Sequence, residues 1–156
     1  MADYAGAVAA IKSRLSTNWT TTRIVEPNVT PEEPWPPIDA NGNPAAFVVI
    51  EVIGNSSEIL GVAQNAAGDN MGIDFGLIRI HVLVPNGTGT ATAYAYASTI
   101  SALFRNVEFY NETSGFAVRT WRPRVDSGDS ADVEGVLEGM YWRVSVTAEF
   151  EYIHID

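Results

Sequence analysis

The chain has 156 residues, of which 46% are apolar and 18% are charged, and its formal net charge is −10. This length and composition are typical of one folded domain with a substantial core, so residues 1–156 are taken as a single domain. The negative balance disfavours direct binding to a nucleic-acid backbone, and the absence of cysteine excludes disulfides and thiol chemistry.

The N-terminal part is predicted to form a helix, a short strand and a proline-rich loop. Residues 4–18 form the helix with Asp3 as N-cap, because its apolar residues share one face. That stripe comprises Tyr4, Val8, Ile11 and Leu15. A short strand over 20–25 follows, and the six prolines of residues 26–44 then exclude a helix or an interior strand. The loop is either a partner-binding segment or, as we prefer, a stiff connector that lays Trp35 on its own domain.

The middle of the chain contains a change of apolar register. Residues 46–53 are predicted to form a central strand covered on both faces, because both alternating sets are largely apolar. Residues 57–64 form a weaker strand, 65–70 a loop, and 71–84 a long strand. In the long strand the apolar positions are odd-numbered in the first half and even-numbered in the second, which moves the apolar side to the other face. Gly76 lies at this switch, where a bulge or bend forms most easily.

Two interpretations of this switch stay open. Residues 57–76 could form a hairpin arm that leaves the domain and packs on a neighbouring subunit, or the switch could be a bulge within one sheet. The first interpretation predicts that apolar residues of this hairpin contact a second copy of the chain. The candidate subunit-interface residues are Leu60, Val62, Met71, Ile73 and Phe75.

A glycine-containing turn and a second helix follow the long strand. The turn lies over 85–90, and Thr88 or Thr90 is predicted to cap the first helical turn. The helix extends to about residue 106, because its apolar residues recur at helical spacing. They are Ala93, Ala97, Ile100 and Phe104, with Leu103 beside them.

The C-terminal part is predicted to consist of strands. Residues 107–110 and 115–121 form two short strands, and the acidic stretch 126–139 is a mobile loop. Residues 140–155 form a long strand with strict alternation, with Arg143, Ser145, Thr147, Glu149 and Glu151 on a solvent-exposed face. The predicted fold is therefore α+β: a mostly antiparallel or mixed sheet with two helices packed on one face, and the hairpin arm if the first interpretation holds.

Residues with catalytic or metal-binding potential are few. His81 and His154 lie far apart on separate strands, so a catalytic pair has no support from their spacing. The Gly87-Thr-Gly89 turn lacks a basic residue, and residues 39–43 begin like a calcium loop without completing it. The acids of 126–139 are interpreted as a solvated loop. We expect no catalytic residue, cofactor or metal, and neither a membrane-spanning helix nor a signal peptide.

Several segments together resemble a known protein family. They are an AxxAIKSRL helix, the proline-rich loop with the hydrophobic strand after it, the VLVPNGTGTATAYAYASTISALFR stretch and the closing MYWRVSVTAEFEY strand. In this order they are similar to the tail terminator-like proteins of long-tailed bacteriophages, the group that includes the lambda tail terminator. The acidic insert at 126–139 departs from the compact pattern of that family.

The resemblance implies a structural role in the virion and no catalytic site. Such proteins form a ring, usually a hexamer, at the head-proximal end of the tail. The ring caps the tail tube protein, ends tube polymerisation and offers a surface to the head–tail connector or stopper protein, while DNA passes through without specific binding. A connector or tail-completion (stopper) protein is the close alternative. A small ligand-binding or enzymatic α+β domain using His81, His154 and nearby acids is the alternative from another class.

Overall fold

The computed structural model describes residues 2–62, 70–126, 128–131 and 140–155, and of Val62 and residues 129–131 only the backbone. These residues form two helices and eight strands, which confirms the predicted α+β fold. In chain order they are α1 (Tyr4–Asn18), β1 (Arg23–Val25), β2 (Phe47–Val62), β3 (Asn70–Pro85), α2 (Ala91–Leu103), β4 (Glu108–Phe109), β5 (Ala117–Thr120), β6 (Arg124–Val125), β7 (Asp129–Ala131) and β8 (Tyr141–Ile155).

The eight strands form one mixed sheet with β8 near its middle. The order is β1-β2-β3-β8-β5-β4, and β6 and β7 also pair with β8. β1 is parallel to β2, whereas the other pairs are antiparallel. β3 pairs with β8 without a register shift, from Met71 opposite Ile155 to Pro85 opposite Tyr141. The other side of β8 is shared by β5, β6 and β7, so both backbone edges of β8 are used along much of its length.

The first helix covers one face of this sheet, as predicted. Asp3 caps α1, because its Oδ1 accepts a hydrogen bond of 2.7 Å from the Gly6 N–H. The buried residues of the helix are Ala7, Ile11 and Leu15. Tyr4 was predicted to belong to the buried stripe, but it is 39% exposed. The buried line instead begins one helical turn later, at the small side chain of Ala7, which allows close approach to the sheet.

The second helix completes the same layer. Its predicted stripe is confirmed, since Ala93, Ala97, Ile100 and Phe104 are all fully buried in the core beneath both helices. The predicted threonine cap is wrong: Thr90 makes no side-chain capping bond, and the Thr88 hydroxyl donates to the Pro85 carbonyl at 2.7 Å. The turn enters the helix through Gly87 and Gly89, whose φ angles of +85° and +81° favour glycine. No helix in the described part of the chain combines the length and apolarity that a membrane span requires.

A second, smaller core lies on the opposite face of the sheet, which carries no helix. It consists of Phe47, Leu83 and Tyr141, and Trp35 from the proline-rich loop packs against it. The Trp35 and Phe47 rings meet edge to face with centroids 5.1 Å apart. The prediction that this loop lays Trp35 on its own domain is therefore confirmed.

The two strands predicted at 46–53 and 57–64 are a single strand, β2, up to Val62, and residues 63–69 lie outside the described chain. The predicted central strand is confirmed only for its first half: β1 pairs with the first three residues of β2, and Phe47 and Val48 are buried on opposite faces, whereas Ile53 is 38% exposed. The bulge lies in β2, between Gly54 and Ser56 opposite Gly76, rather than in β3. Since β3 pairs with β8 as far as Met71, residues 70–76 extend the sheet and do not leave it.

The C-terminal strands differ from their predictions in two details. The stretch 126–139 was predicted to be a loop, but its residues 129–131 form β7 on the edge of β8, while 127 and 132–139 are outside the described chain. The exposed face predicted for β8 is partly covered, since Ser145 and Thr147 are 9% and 5% exposed. His81 on β3 contacts Ser145, with its Nδ1 2.7 Å from the hydroxyl, and sequence alternation alone does not report such contacts between strands.

Candidate functional site

A polar cavity lies on the helix-free face, between the proline-rich loop and strands β2, β3 and β8. Its volume is about 780 Å³, and Trp35, Val49 and Leu83 form much of its apolar wall. Glu51 on β2, His81 on β3 and Arg143 on β8 line the same cavity. The cavity thus places His81, one of the two histidines singled out in the sequence, near Glu51 and Arg143. The proline-rich loop forms the opposite wall.

His81 forms two polar contacts across the neighbouring strands. Its Nδ1 lies 2.7 Å from the Ser145 hydroxyl, and its Nε2 lies 3.1 Å from Glu51 Oε2. Burial lowers the pKa of His81; Glu51 opposes this shift, while Arg143 and Arg79 add to it. A neutral imidazole has one donor and one acceptor, and an ionised carboxylate only accepts. Nε2–H therefore donates to Glu51, and Nδ1 accepts from the Ser145 hydroxyl.

The Glu51–His81–Ser145 hydrogen bonds position these side chains and do not form a site for nucleophilic catalysis. Ser145 is 9% exposed and does not line the cavity, so its hydroxyl lies behind the imidazole as seen by any occupant. A serine nucleophile has to reach the substrate and needs donors aimed at the developing oxyanion. What the cavity presents to an occupant is the Glu51 carboxylate, one edge of His81 and the Arg143 guanidinium.

The structure does not bring His81 and His154 together. His154 lies on the helix-covered face near the end of β8, where its Nε2 is 3.4 Å from Asp74 Oδ2 and its ring stacks on Tyr152. Nine residues of β8 separate His154 from Ser145, the partner of His81, which at about 3.3 Å per residue is roughly 30 Å. A catalytic pair of these two histidines is therefore incompatible with the fold.

The other two sequence motifs serve turns. Asp39 Oδ1 accepts hydrogen bonds from the Asn41 and Asn43 N–H groups at 2.8 and 3.0 Å, which closes the 39–43 turn. Within the described ranges, no group of three or more histidine and acidic side chains could hold a metal ion. The glycines of the 87–89 turn provide the backbone angles for entry into α2.

A second candidate site is the exposed end of the β2–β3 hairpin. Two of the residues predicted to contact a neighbouring subunit are strongly exposed, Leu60 at 54% and Met71 at 44%. Phe75 is half-buried, Ile73 is covered within the chain at 5% exposure, and the side chain of Val62 is not described. Met71, Ile73 and Phe75 share the helix-free face, because odd-numbered positions of β3 point there.

Further apolar residues at this end of the sheet are exposed, although the sequence did not predict them as interface residues. Ile59 is 68% exposed and Ile53 is 38% exposed, both on β2, and Ile155 at the end of β8 is 36% exposed. Residues Ile53–Gly61 are all exposed, which is a length of strand that soluble proteins usually protect. The polar run Asn55-Ser56-Ser57-Glu58 was the available signal, since it marks a strand segment without a buried face.

Comparisons with known proteins inform the fold alone. No family model matches the sequence, and no curated protein matches it. Thirteen chains of solved structures match. One of them, a protein whose name states no function, has a TM-score of 0.65 and 19% sequence identity over 97% of this chain and 96% of its own. At that identity the likeness shows that the chain shares an α+β fold along its whole length with a protein of known structure.

Proposed function

We propose that the protein is a structural virion protein that forms a ring on the head-proximal end of a bacteriophage tail tube. The ring ends tube polymerisation and offers a joining surface to the head connector. The family resemblance supports this function, and the elements occur in the order that the resemblance implies: helix, proline-rich loop, long strands, glycine turn, helix and closing strand.

The observation that carries the proposal is the exposed outer edge of β2. Its backbone pairs with β3 on one side, whereas beyond Val49 no strand in the described chain pairs with the other side. Exposed apolar side chains lie along this edge, with Ile59 at 68% and Leu60 at 54%. A free edge with apolar side chains is a template for pairing with another chain. A protein that acts by assembling needs such a surface, and a ring needs it to meet a different patch on the next subunit.

The charge of the chain fits a channel for DNA. With a net charge of −10, a ring of several copies repels phosphate from its walls, so that a genome can slide through without binding. This element of the proposal requires acidic side chains on the inner wall of the ring. A subunit map that places all acidic side chains on the outside of the ring would contradict this part of the proposal.

A tube-polymerisation assay tests the proposal. The purified chain is added to polymerising tail tube protein of the phage that encodes it, and tube lengths and tube ends are measured by electron microscopy. We expect shorter tubes and a ring on one end. Tubes of unchanged length, with bare ends at every concentration of added protein, would contradict the proposal.

The closest alternative function is a head–tail connector or stopper. Deletion of the gene separates the two: loss of a terminator gives overlong tails, whereas loss of a stopper gives normal tails and heads that leak DNA.

The cavity at His81 favours a second candidate from another class, a small-ligand-binding domain. An open cleft of about 780 Å³ with a carboxylate, an imidazole and a guanidinium is of the size that small molecules occupy. NMR titration with metabolite mixtures, monitoring the His81 ring, is the test. Selective shifts that are lost in a His81→Ala variant would favour this candidate, and unchanged spectra would argue against it.

A further inference from the structure

We propose that the arginine flank of one copy of the chain contacts the β2 edge of the next copy, head to tail. The β2 edge is defined as residues Ile53–Gly61. The arginine flank is defined as residues 121–125 together with Arg105. This inference rests on the proposed ring and assigns its subunit interface.

The β2 edge offers backbone groups, apolar side chains and one negative charge. All nine residues of the edge are exposed. Ile53, Ile59 and Leu60 supply the apolar surface, with exposures of 38%, 68% and 54%. Glu58 is the charged residue of the edge and is exposed. A partner that pairs here gains main-chain hydrogen bonds and buries apolar area at the same time.

The arginine flank offers the complementary side chains. Trp121 and Val125 are 43% and 40% exposed, and Arg122 lies between them. Arg105 and Arg122 are exposed and form no ion pair with the residues that the structure describes, while Arg124 lies 3.5 Å from Asp126 with 71% of its side chain exposed. Tryptophan and arginine are the residue types that most often dominate binding energy at protein interfaces.

The two surfaces lie at opposite ends of the same rows of the sheet. One such row runs from Trp121, whose N–H donates to the Glu149 carbonyl on β8, to Leu77 on β3 and Ile53 on β2. The row therefore begins beside the arginine flank and ends at the β2 edge. This placement is what a head-to-tail contact needs, because each copy must present one surface to each neighbour.

The charges of the two regions have opposite sign, which favours a second copy as the occupant. Residues 23–62, which contain the β2 edge, carry six acids and one base, whereas residues 103–126 carry four bases and three acids. The described part of the acidic insert, β7, pairs with β8 at Arg143, whereas Trp121 pairs with β8 at Glu149. These positions are six residues apart, or roughly 20 Å along the strand.

Charge reversal with rescue tests the interface, with tube capping as the readout. Arg122→Glu and Glu58→Arg each place like charges together, so each is expected to raise the concentration needed for half-maximal capping by on the order of tenfold or more. The double variant restores opposite charges and is expected to recover most of the loss. Ser98→Glu and Ser98→Arg introduce the same charges on the exposed side of α2 and are expected to cap like the parent chain.

The outcomes separate this inference from the proposed function. If the parent chain caps tubes and both single variants cap at the parent concentration, the interface is wrong and the function stands. Losses without recovery in the double variant would also overturn the head-to-tail pairing, and would point to contact of these residues with the tube or connector. If the parent chain does not cap tubes, the proposed function fails, and cysteine crosslinking then decides the interface.

Crosslinking is clean because the chain has no cysteine of its own. A Glu58→Cys, Arg122→Cys double variant treated with a short bifunctional maleimide is expected to give a ladder of covalent oligomers. The control carries Glu58→Cys with Ser98→Cys. A ladder no stronger than that of the control would overturn the interface, whether or not tubes are capped.

Discussion

Replacement of Gly76 by alanine is expected to destabilise the protein, because the site has no room for a Cβ atom. An added Cβ would lie 2.5 Å from the Ile53 carbonyl oxygen and 2.6 Å from Phe150 Cε1. The carbonyl belongs to the backbone of the paired strand, and Phe150 is 1% exposed, so neither gives way easily. Overpacking of this kind costs about 1–3 kcal/mol, and the lower chain entropy of alanine offsets about 0.4–1 kcal/mol.

The expected net loss for Gly76→Ala is about 1.3 kcal/mol of unfolding free energy, or roughly 3–5 °C in Tm for a chain of this size. Gly61→Ala is the matched control, because it lies on the same hairpin and a Cβ there meets no described atom within 4 Å. Urea and thermal unfolding followed by circular dichroism measure both variants. A Gly76→Ala protein as stable as the Gly61→Ala protein would refute the close approach of the Ile53 carbonyl and the Phe150 ring to Gly76.

Three further predictions concern pH and stability. Burial lowers the folded-state pKa of His81 below its ordinary 6.5, so the unfolded chain takes up this proton first, and the unfolding free energy falls as pH drops below about 6.5. Urea titrations between about pH 7.5 and 5.5 are expected to show a shallower pH dependence in His81→Gln than in the parent. Trp35→Ala removes the edge-to-face contact with Phe47 and is expected to cost about 2 kcal/mol in urea unfolding, whereas no loss would point to a partner-binding role. Asp3→Ala is expected to cost about 1 kcal/mol, and Thr90→Ala close to nothing, because only Asp3 forms a capping bond.

The sequence predicted those elements whose local signals and tertiary packing agree. The stripe of α2 is buried as expected, because four apolar residues at helical spacing leave one face to pack on the sheet. Asp3 is a cap through a bond within the first helical turn, from the Gly6 N–H to its Oδ1. At the start of α2, the Thr88 hydroxyl instead donates to the Pro85 carbonyl within the turn, and residue order does not show which local backbone group such a hydroxyl bonds.

Features that depend on strands distant in sequence could not be predicted. The bulge opposite Gly76 lies in β2, because the register between two strands is set by both of them, and only the composition of β3 showed a switch. The His81–Glu51–Ser145 cluster joins three strands over 94 residues of chain, and no spacing rule links such positions. The exposed β2 edge likewise follows from the shortness of β1, which pairs with only three residues of β2.

We propose that this chain forms a ring that caps a tail tube, and the length distribution of tail tubes is the decisive measurement. Tail tube protein is polymerised with increasing amounts of the chain, and the lengths and ends of individual tubes are recorded by electron microscopy. We expect that the mean tube length falls as the chain is added and that capped ends carry a ring. A length distribution that is unaffected at all ratios, with no ring at either end, would contradict it.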